Sequence, residues 1–247
     1  MENKSLNLAL PALFAVLSVF NTACSTDTVS SKDVSTEAIH QDYTMSYHED
    51  SNTTEMSAQF RVGGWSGTTV ELESPSSLKV NGQAPSKNSF LGTRYYSSSS
   101  GYVPTATFEF TTTDGSKLTN SISIDPLHLL KADQTVSVLR TYEADVDAPK
   151  LTSGETITVQ IQQQISGKES VYATGIYDRS RSKASFSPSE LNKLENGNAS
   201  LVIYRAKTGS LAQATKEGGG IAAYYYLRPV SVNVVDKAVG IPNLSQR

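Results

Sequence analysis

Apolar and polar residues alternate along several short stretches after residue 42, which is the pattern of β-strands with one buried face. Residues 56–62 alternate throughout, and residues 69–73 keep the same period. Residues 78–80 continue it and are followed by Asn81-Gly82, a pair typical of tight hairpin turns. The first part of the chain is therefore predicted to be built from short strands.

The clearest hairpin lies further along. Residues 105–113 contain Ala106, Phe108 and Phe110 at a period of two, Asp114-Gly115 supplies a turn, and residues 118–124 form the returning strand. Residues 135–142 give one more strand of the same kind. About seven short strands are thus expected before residue 147.

A second set of strands follows, at residues 156–162, 171–177, 199–206 and 221–235. Thr, Val, Ile and Tyr are common in these stretches, and such side chains suit a pleated, half-buried surface. The second part is therefore also predicted to be mainly β.

One short helix is predicted between these strands. Ser187-Pro188-Ser189-Glu190 has the form of a capping box with proline at the first helical position. Leu191 and Leu194 lie three residues apart and would share one face, and Gly197 could end the helix in a left-handed conformation.

The strand pattern predicts a mainly β protein with two tandem β-sandwich domains, 42–147 and 148–240, and a tail at 241–247. The boundary is placed where acidic residues, Pro149 and a loss of alternation coincide. Short strands with frequent turns resemble immunoglobulin-like modules in architecture alone, because the Cys–Trp–Cys core of antibody domains is absent. The sequence leaves open whether the two segments are separate domains or one larger sheet assembly.

The N-terminus has a different pattern. Residues 8–20 form an apolar run of 13 residues interrupted only by Pro11 and Ser18. A helix needs roughly 20 residues to cross a bilayer core of about 30 Å, so this run is too short to span one. Its length is typical of a secretory signal peptide, predicted at residues 1–23.

Small residues, Thr22 and Ala23, precede the only cysteine, Cys24. This motif resembles the lipobox of bacterial lipoprotein precursors. The resemblance implies that Cys24 is acylated, becomes the mature N-terminus and holds the protein on a membrane. Because Ser25 rather than Asp follows, the resemblance implies a cell-envelope location at the outer membrane, on a face that it does not specify. Lipid attachment at Cys24 would anchor firmly only with two or more chains.

Residues 24–41 are predicted to form the acylated cysteine and a flexible tether, since residues 25–41 are rich in Ser, Thr and Asp without periodicity. As a random coil this segment would span about 20–25 Å.

Composition narrows the possible partners. The net charge is −3, and no block of Lys or Arg could form a basic face for nucleic acid. With a single cysteine, no disulfide within the chain is possible.

Asp145 and Asp147 at the predicted domain boundary are candidate Ca²⁺ ligands, together with Asp42 or Glu143. Cadherin-type linkers look similar in placing acidic residues between β modules. Ca²⁺ requires six to eight oxygens, however, and solvated loop charges are the favoured interpretation. The three histidines show no metal-ligand spacing.

Aromatic residues are the other candidate contacts. Tyr224 and Tyr226 would share one face of a strand while Tyr225 takes the other. Flat aromatic rings on β scaffolds often contact sugars or proteins. Further candidates in segments rich in Gly and Ser are Trp65, Tyr95, Tyr96 and Tyr102. Core filling by one face and half-exposed decoration by the other is the favoured interpretation of these rings.

The stretch Gly64-Trp65-Ser66-Gly67 lacks the final glycine of a nucleophile elbow, and no catalytic triad can be assembled from the sequence. The sequence therefore predicts a lipid-anchored envelope protein with a non-catalytic binding or adhesion role towards a protein or polysaccharide, and without a cofactor. The alternatives are a structural subunit that pairs through sheet edges and, less favoured, a hydrolase of envelope polysaccharides or esters.

Overall fold

A computed structural model describes residues 28–167 and 169–238. The predicted signal peptide, the acylation site at Cys24 and the tail at 241–247 lie outside these described residues.

The described residues form nineteen β-strands and one short α-helix. The strands are β1 Thr28–Ser30, β2 Ile39–His48, β3 Thr53–Val62, β4 Thr68–Glu71, β5 Ser77–Val80, β6 Ser86–Phe90, β7 Thr93–Ser100, β8 Thr105–Thr111, β9 Lys117–Ser123, β10 His128–Ala132, β11 Thr135–Ser137, β12 Tyr142–Asp147, β13 Glu155–Gln163, β14 Val171–Thr174, β15 Ile176–Asp178, β16 Lys183–Phe186, β17 Gly197–Ser210, β18 Gly219–Tyr226 and β19 Val230–Val235. The helix, α1, is Pro188–Leu191. The prediction of a mainly β protein is confirmed.

Twelve of these strands form one large sheet. Its central order is β1-β4-β3-β2-β18-β17-β13-β14. The hairpin β6–β7 joins it where β7 pairs with β3, and β19 joins where it pairs with β17 and β11. The predicted hairpin at residues 105–124 is confirmed as β8–β9, which pairs with β5 in a separate sheet of three strands.

Side chains from the smaller sheets pack on one face of the large sheet, as alternation requires. In β2 every second residue, from Ile39 to Tyr47, is buried. Tyr43 stacks on Phe108 of β8 with ring centroids 4.7 Å apart, and Phe60 lies 4.7 Å from Phe110. A four-stranded sheet, β10-β12-β16-β15, contributes further residues to the same core cluster.

The large sheet contains strands from both predicted segments. β2 pairs in parallel with β18, in a register that runs from Gln41 opposite Gly219 to His48 opposite Tyr226. The predicted boundary near residue 148 lies between β12 and β13. Because β2 and β18 lie side by side, the two segments share one sheet, and two separate immunoglobulin-like sandwiches are not confirmed.

The predicted helix is present but shorter than its pattern suggested. Ser187 caps it, since its Oγ accepts a hydrogen bond from the Glu190 N–H at 3.3 Å. The prediction that Gly197 ends the helix is wrong: the helix ends at Leu191, and Gly197 begins β17. Within the described residues, no helix is long and apolar enough to cross a membrane.

The predicted tether is corrected for residues 28–41. Thr28–Ser30 pair in parallel with Thr69–Glu71, and the Ser31 side chain accepts a hydrogen bond from the Glu73 N–H. Ile39 is fully buried at the start of β2. Composition could not reveal this order, because small polar residues are stabilised here by pairing with a strand about 40 positions away along the chain.

A buried ion pair joins two neighbouring strands of the large sheet. Arg205 of β17 is 0% exposed, and its Nη2 lies 2.5 Å from Oε2 of Glu155, whose side chain is 2% exposed. Asp125, after β9, lies 3.7 Å away. Burial alone would raise the pKa of Glu155, but hydrogen bonds from Arg205 and Thr152 outweigh it and hold that pKa at about 2.

Gly219→Ala is expected to destabilise the protein by about 1–3 kcal/mol, because a Cβ at this position would collide with the Gln41 carbonyl of β2. Gly220→Ala is the matched control, since its Cβ would lie 3.9 Å from Asp42, an ordinary contact. Denaturant unfolding of the two variants measures the difference. Equal stability of both would contradict the close β2–β18 approach.

Glu155→Gln is expected to cost about 3 kcal/mol at pH 7, because it leaves Arg205 buried without its ion pair. The lowered pKa of Glu155 implies stability that is fully present above its ordinary value of 4.5 and is lost as pH falls towards about 2. The difference in the free energy of unfolding between the wild type and Glu155→Gln should therefore be smaller at pH 3 than at pH 7. Glu109→Gln, which breaks the exposed pair with Lys117, serves as the control. A difference that stays constant with pH would argue against this account.

Candidate functional site

The candidate site is the outer face of the large sheet, opposite the core. On β2 this face carries Thr44, Ser46 and His48, all partly exposed, in alternation with the buried residues. β3 adds Ser57 and Gln59 in the same way. The face is therefore an open surface rich in hydroxyl and amide groups.

Four aromatic side chains meet on this face at one end of the central strands. We call His48, Tyr204, Tyr224 and Tyr226 the aromatic row. His48 stacks on Tyr226 with centroids 4.9 Å apart and planes 5° apart. The ring centroid of Tyr204 lies 5.0 Å from that of Tyr226. Tyr224 stacks on Tyr226 as well, with ring centroids 5.9 Å apart. The row crosses three adjacent strands.

Strand register creates the aromatic row. His48 is opposite Tyr226 in the parallel β2–β18 pair, and Tyr204 is opposite Tyr226 in the antiparallel β17–β18 pair. Directly opposed residues point to the same face of a sheet and lie close enough for their rings to touch. Tyr225 points to the core instead, which confirms the prediction that it takes the other face.

The side chains next to the aromatic row on its own three strands are uncharged, and one carboxylate, that of Glu55 on β3, lies opposite Ser46 on the same face. Ser46 precedes it on β2, Ala222 on β18, and Val202 and Ala206 flank Tyr204 on β17. Burial raises the pKa of Tyr226, and the neighbouring tyrosines Tyr204 and Tyr224 raise it further. The phenol therefore stays protonated at physiological pH and can donate or accept hydrogen bonds.

A groove of about 570 Å³ lies on the same face, near the other end of the strands. Its floor includes Asp42, Thr44 and Ser57, and its far wall includes Phe90 and Tyr95 of the β6–β7 hairpin. Tyr95 is the one predicted contact residue in this groove.

The other predicted aromatic contacts do not join the aromatic row. Tyr96 is 4% exposed, faces the core and accepts a hydrogen bond from the Leu72 N–H at 2.6 Å. Tyr102 packs edge-on against Tyr47, 4.8 Å away. Trp65 is exposed in the loop between β3 and β4. Among the predicted aromatic residues, the structure brings only Tyr224 and Tyr226 together.

The candidate Ca²⁺ ligands lie in a strand rather than in a linker. Asp145 and Asp147 belong to β12, and Lys183 of the neighbouring strand places its Nζ 2.7 Å from Asp145. A hydrogen bond from Lys183 lowers the pKa of Asp145. Among the described residues, no group of three His, Cys, Asp or Glu side chains is arranged to hold a metal ion. The ammonium group of Lys183 thus already neutralises the Asp145 carboxylate that a metal ion would need as a ligand.

Sequence analysis missed two members of the aromatic row and the buried arginine. His48 and Tyr204 each sit at a polar position of an alternating strand, but only strand pairing reveals that they meet. The burial of Arg205 could have been predicted from the sequence, because Arg205 follows Leu201 and Ile203 at every second position and so points to the same, buried face of the strand.

Comparisons with known proteins add no relative. A scan against models of protein families finds none that matches this chain, and a search of curated proteins finds no match.

Proposed function

We propose that this protein is a cell-envelope lipoprotein, anchored through acyl groups on Cys24 in the outer membrane, that binds a polysaccharide without catalysis. The observation that carries the binding proposal is the aromatic row on an open sheet face. The anchor rests on the signal peptide and the lipobox-like motif of the sequence.

The chemistry of the face favours a sugar polymer over a protein partner. Sugar rings combine apolar C–H faces with hydroxyl groups, so they pack on aromatic rings and bond to neighbouring polar side chains. The row supplies the rings, and its phenols, together with Ser46 and Thr158, supply hydroxyl groups without formal charge. The sheet holds these groups rigidly, which lowers the entropy lost on binding.

Long partners also suit the geometry. The aromatic row and the groove lie on one face of the same sheet, with Thr44 of β2 lining the groove and His48 of β2 in the row. A chain polymer bound on the row could therefore extend along β2 to Thr44 and Ser57 on the groove floor, whereas a small ligand would occupy one of these places. Each additional contact along a repeating polymer adds avidity.

The anchor proposal predicts that material from the native host begins at Cys24 and carries acyl groups. Mass spectrometry of the intact protein and of its N-terminal peptide measures this. Cys24→Ser is expected to leave the protein unacylated and to release it from membranes. Retention of residues 1–23, or a bare sulfur on Cys24, would refute the anchor.

The binding proposal predicts that Tyr226→Ala weakens binding to polysaccharide purified from the host envelope by about tenfold, since one lost ring contact is worth about 1.4 kcal/mol. Affinity electrophoresis or calorimetry measures it. Tyr172→Ala is the matched control, because Tyr172 is an exposed tyrosine of β14 outside the aromatic row. Equal affinity of both variants, or binding of envelope proteins in place of the polysaccharide, would overturn the proposal.

A further inference from the structure

The tip of the β6–β7 hairpin exposes two large apolar side chains. Phe90 is 69% exposed and Leu91 is 75% exposed. Phe90 pairs with Thr93 across the turn, and Phe90 and Leu91 both border the groove on the outer face of the large sheet. Exposed apolar residues that lie side by side often mark an interaction site.

The backbone of this tip is also unusual. Leu91 has φ +47° and Gly92 has φ +82°, the left-handed conformations of a tight hairpin turn. Asn, Asp and Gly are preferred at the first of these positions, and leucine is strained there. Strained residues of this kind concentrate at functional sites. Folding alone therefore does not account for a leucine at this position.

The hairpin tip lies beside the point where the chain arrives from Cys24. The Thr28 hydroxyl donates a hydrogen bond to the Gly92 carbonyl at 3.3 Å. Thr28 is four residues after Cys24, so even a fully extended chain would place the cysteine at most about 14 Å from Thr28. Any lipid on Cys24 would therefore hold this end of the sheet close to the membrane surface.

A third exposed apolar residue lies at the same end of the sheet. Trp65 is 56% exposed in the loop that leads into β4, and β4 pairs with β1 through Thr69 opposite Thr28. Indole rings favour the interface between water and lipid. Two loops that carry exposed apolar residues thus flank the start of the described chain.

The charged side chains at this end of the sheet include both signs. Lys87 and Arg94 of the hairpin both lie 3.4 Å from the carboxylate of Glu71. Glu217 lies beside Gly64, in the loop that carries Trp65. Contact with a bilayer here would therefore depend on the exposed apolar side chains and not on attraction of anionic head groups.

We propose that the Phe90–Leu91 tip, together with Trp65 at the same end of the sheet, inserts into the surface of the phospholipid bilayer that holds the acyl chains of Cys24. This inference rests on the proposed anchor, and it adds a second membrane contact that fixes how the body is oriented. His40, at the membrane end of β2, and His48 are eight residues apart, which is about 26 Å along a strand. The aromatic row therefore lies far from the bilayer, where a polymer can reach it.

Depth-dependent fluorescence quenching tests the insertion. Trp65→Phe first removes the natural tryptophan from the acylated protein. A single tryptophan is then introduced by Leu91→Trp or, as a matched control, by Ile176→Trp. Ile176 is 76% exposed and belongs to the separate four-stranded sheet. In phosphatidylethanolamine–phosphatidylglycerol vesicles with brominated acyl chains, the tryptophan at position 91 should lose about half of its emission and the one at position 176 almost none. Equal quenching at both positions would overturn the proposal.

The outcome does not depend on native acylation. If the host protein proves unacylated, the proposed anchor fails, but the only cysteine, Cys24, can be coupled to a maleimide phospholipid in the same vesicles. The quenching comparison then reports on the tip alone. Absence of quenching at position 91 in an anchored protein would refute tip insertion and leave the anchor intact.

Leu91→Asn separates membrane contact from folding. Asparagine tolerates the left-handed conformation, so the variant should raise the thermal unfolding midpoint by about 2–4 °C. It should also weaken binding of the protein with an unmodified Cys24 to the same vesicles by about threefold, since one apolar contact is lost. Leu139→Asn, at another exposed leucine, is the control for vesicle binding. Unchanged vesicle binding by Leu91→Asn would contradict the proposal.

Discussion

The parallel pairing of β2 with β18 is the constraint on which the rest of the structure depends. It joins strands more than 170 positions apart along the chain into one sheet and sets the register that places His48 against Tyr226. The two strands approach so closely that a side chain at Gly219 would collide with the Gln41 carbonyl. A shift of one residue would turn every alternating side chain to the opposite face and would disrupt both the core and the aromatic row.

Arg205 adds a second, electrostatic constraint within the large sheet. Its pairing with Glu155, with Asp125 nearby, ties β13, β17 and the segment after β9 together. A buried ion pair contributes less to net stability than well-packed apolar residues would, but breaking it is costly. The Nε and Nη1 groups of Arg205 make no hydrogen bond with any described residue, so this charge is incompletely compensated. The pair therefore favours the register of β13 against β17 that brings Arg205 and Glu155 together over registers that would leave the charge unpaired.

The two ends of the large sheet have different surfaces. One end carries the exposed residues Phe90, Leu91 and Trp65 beside the start of the described chain, and the other carries the aromatic row. Because both lie on the same rigid sheet, attachment at one end would fix the direction that the other end faces. Membrane attachment and polymer binding are in this way consistent parts of one proposed role.

The sequence by itself determined many of the strands, because alternation with a period of two directly reflects which side chains are buried. It did not indicate the β6–β7 hairpin, and the single strand that it predicted at residues 135–142 is interrupted after Ser137. The β8–β9 hairpin and the Ser187 cap follow from local patterns and were predicted correctly. Only the tertiary structure decided which strands are neighbours. Composition suggested a free tether for residues 28–41, yet pairing with β4 orders Thr28–Ser30. The aromatic row arises in the same way, since His48, Tyr204 and Tyr226 meet through hydrogen bonding between distant strands, and no local pattern records such pairings.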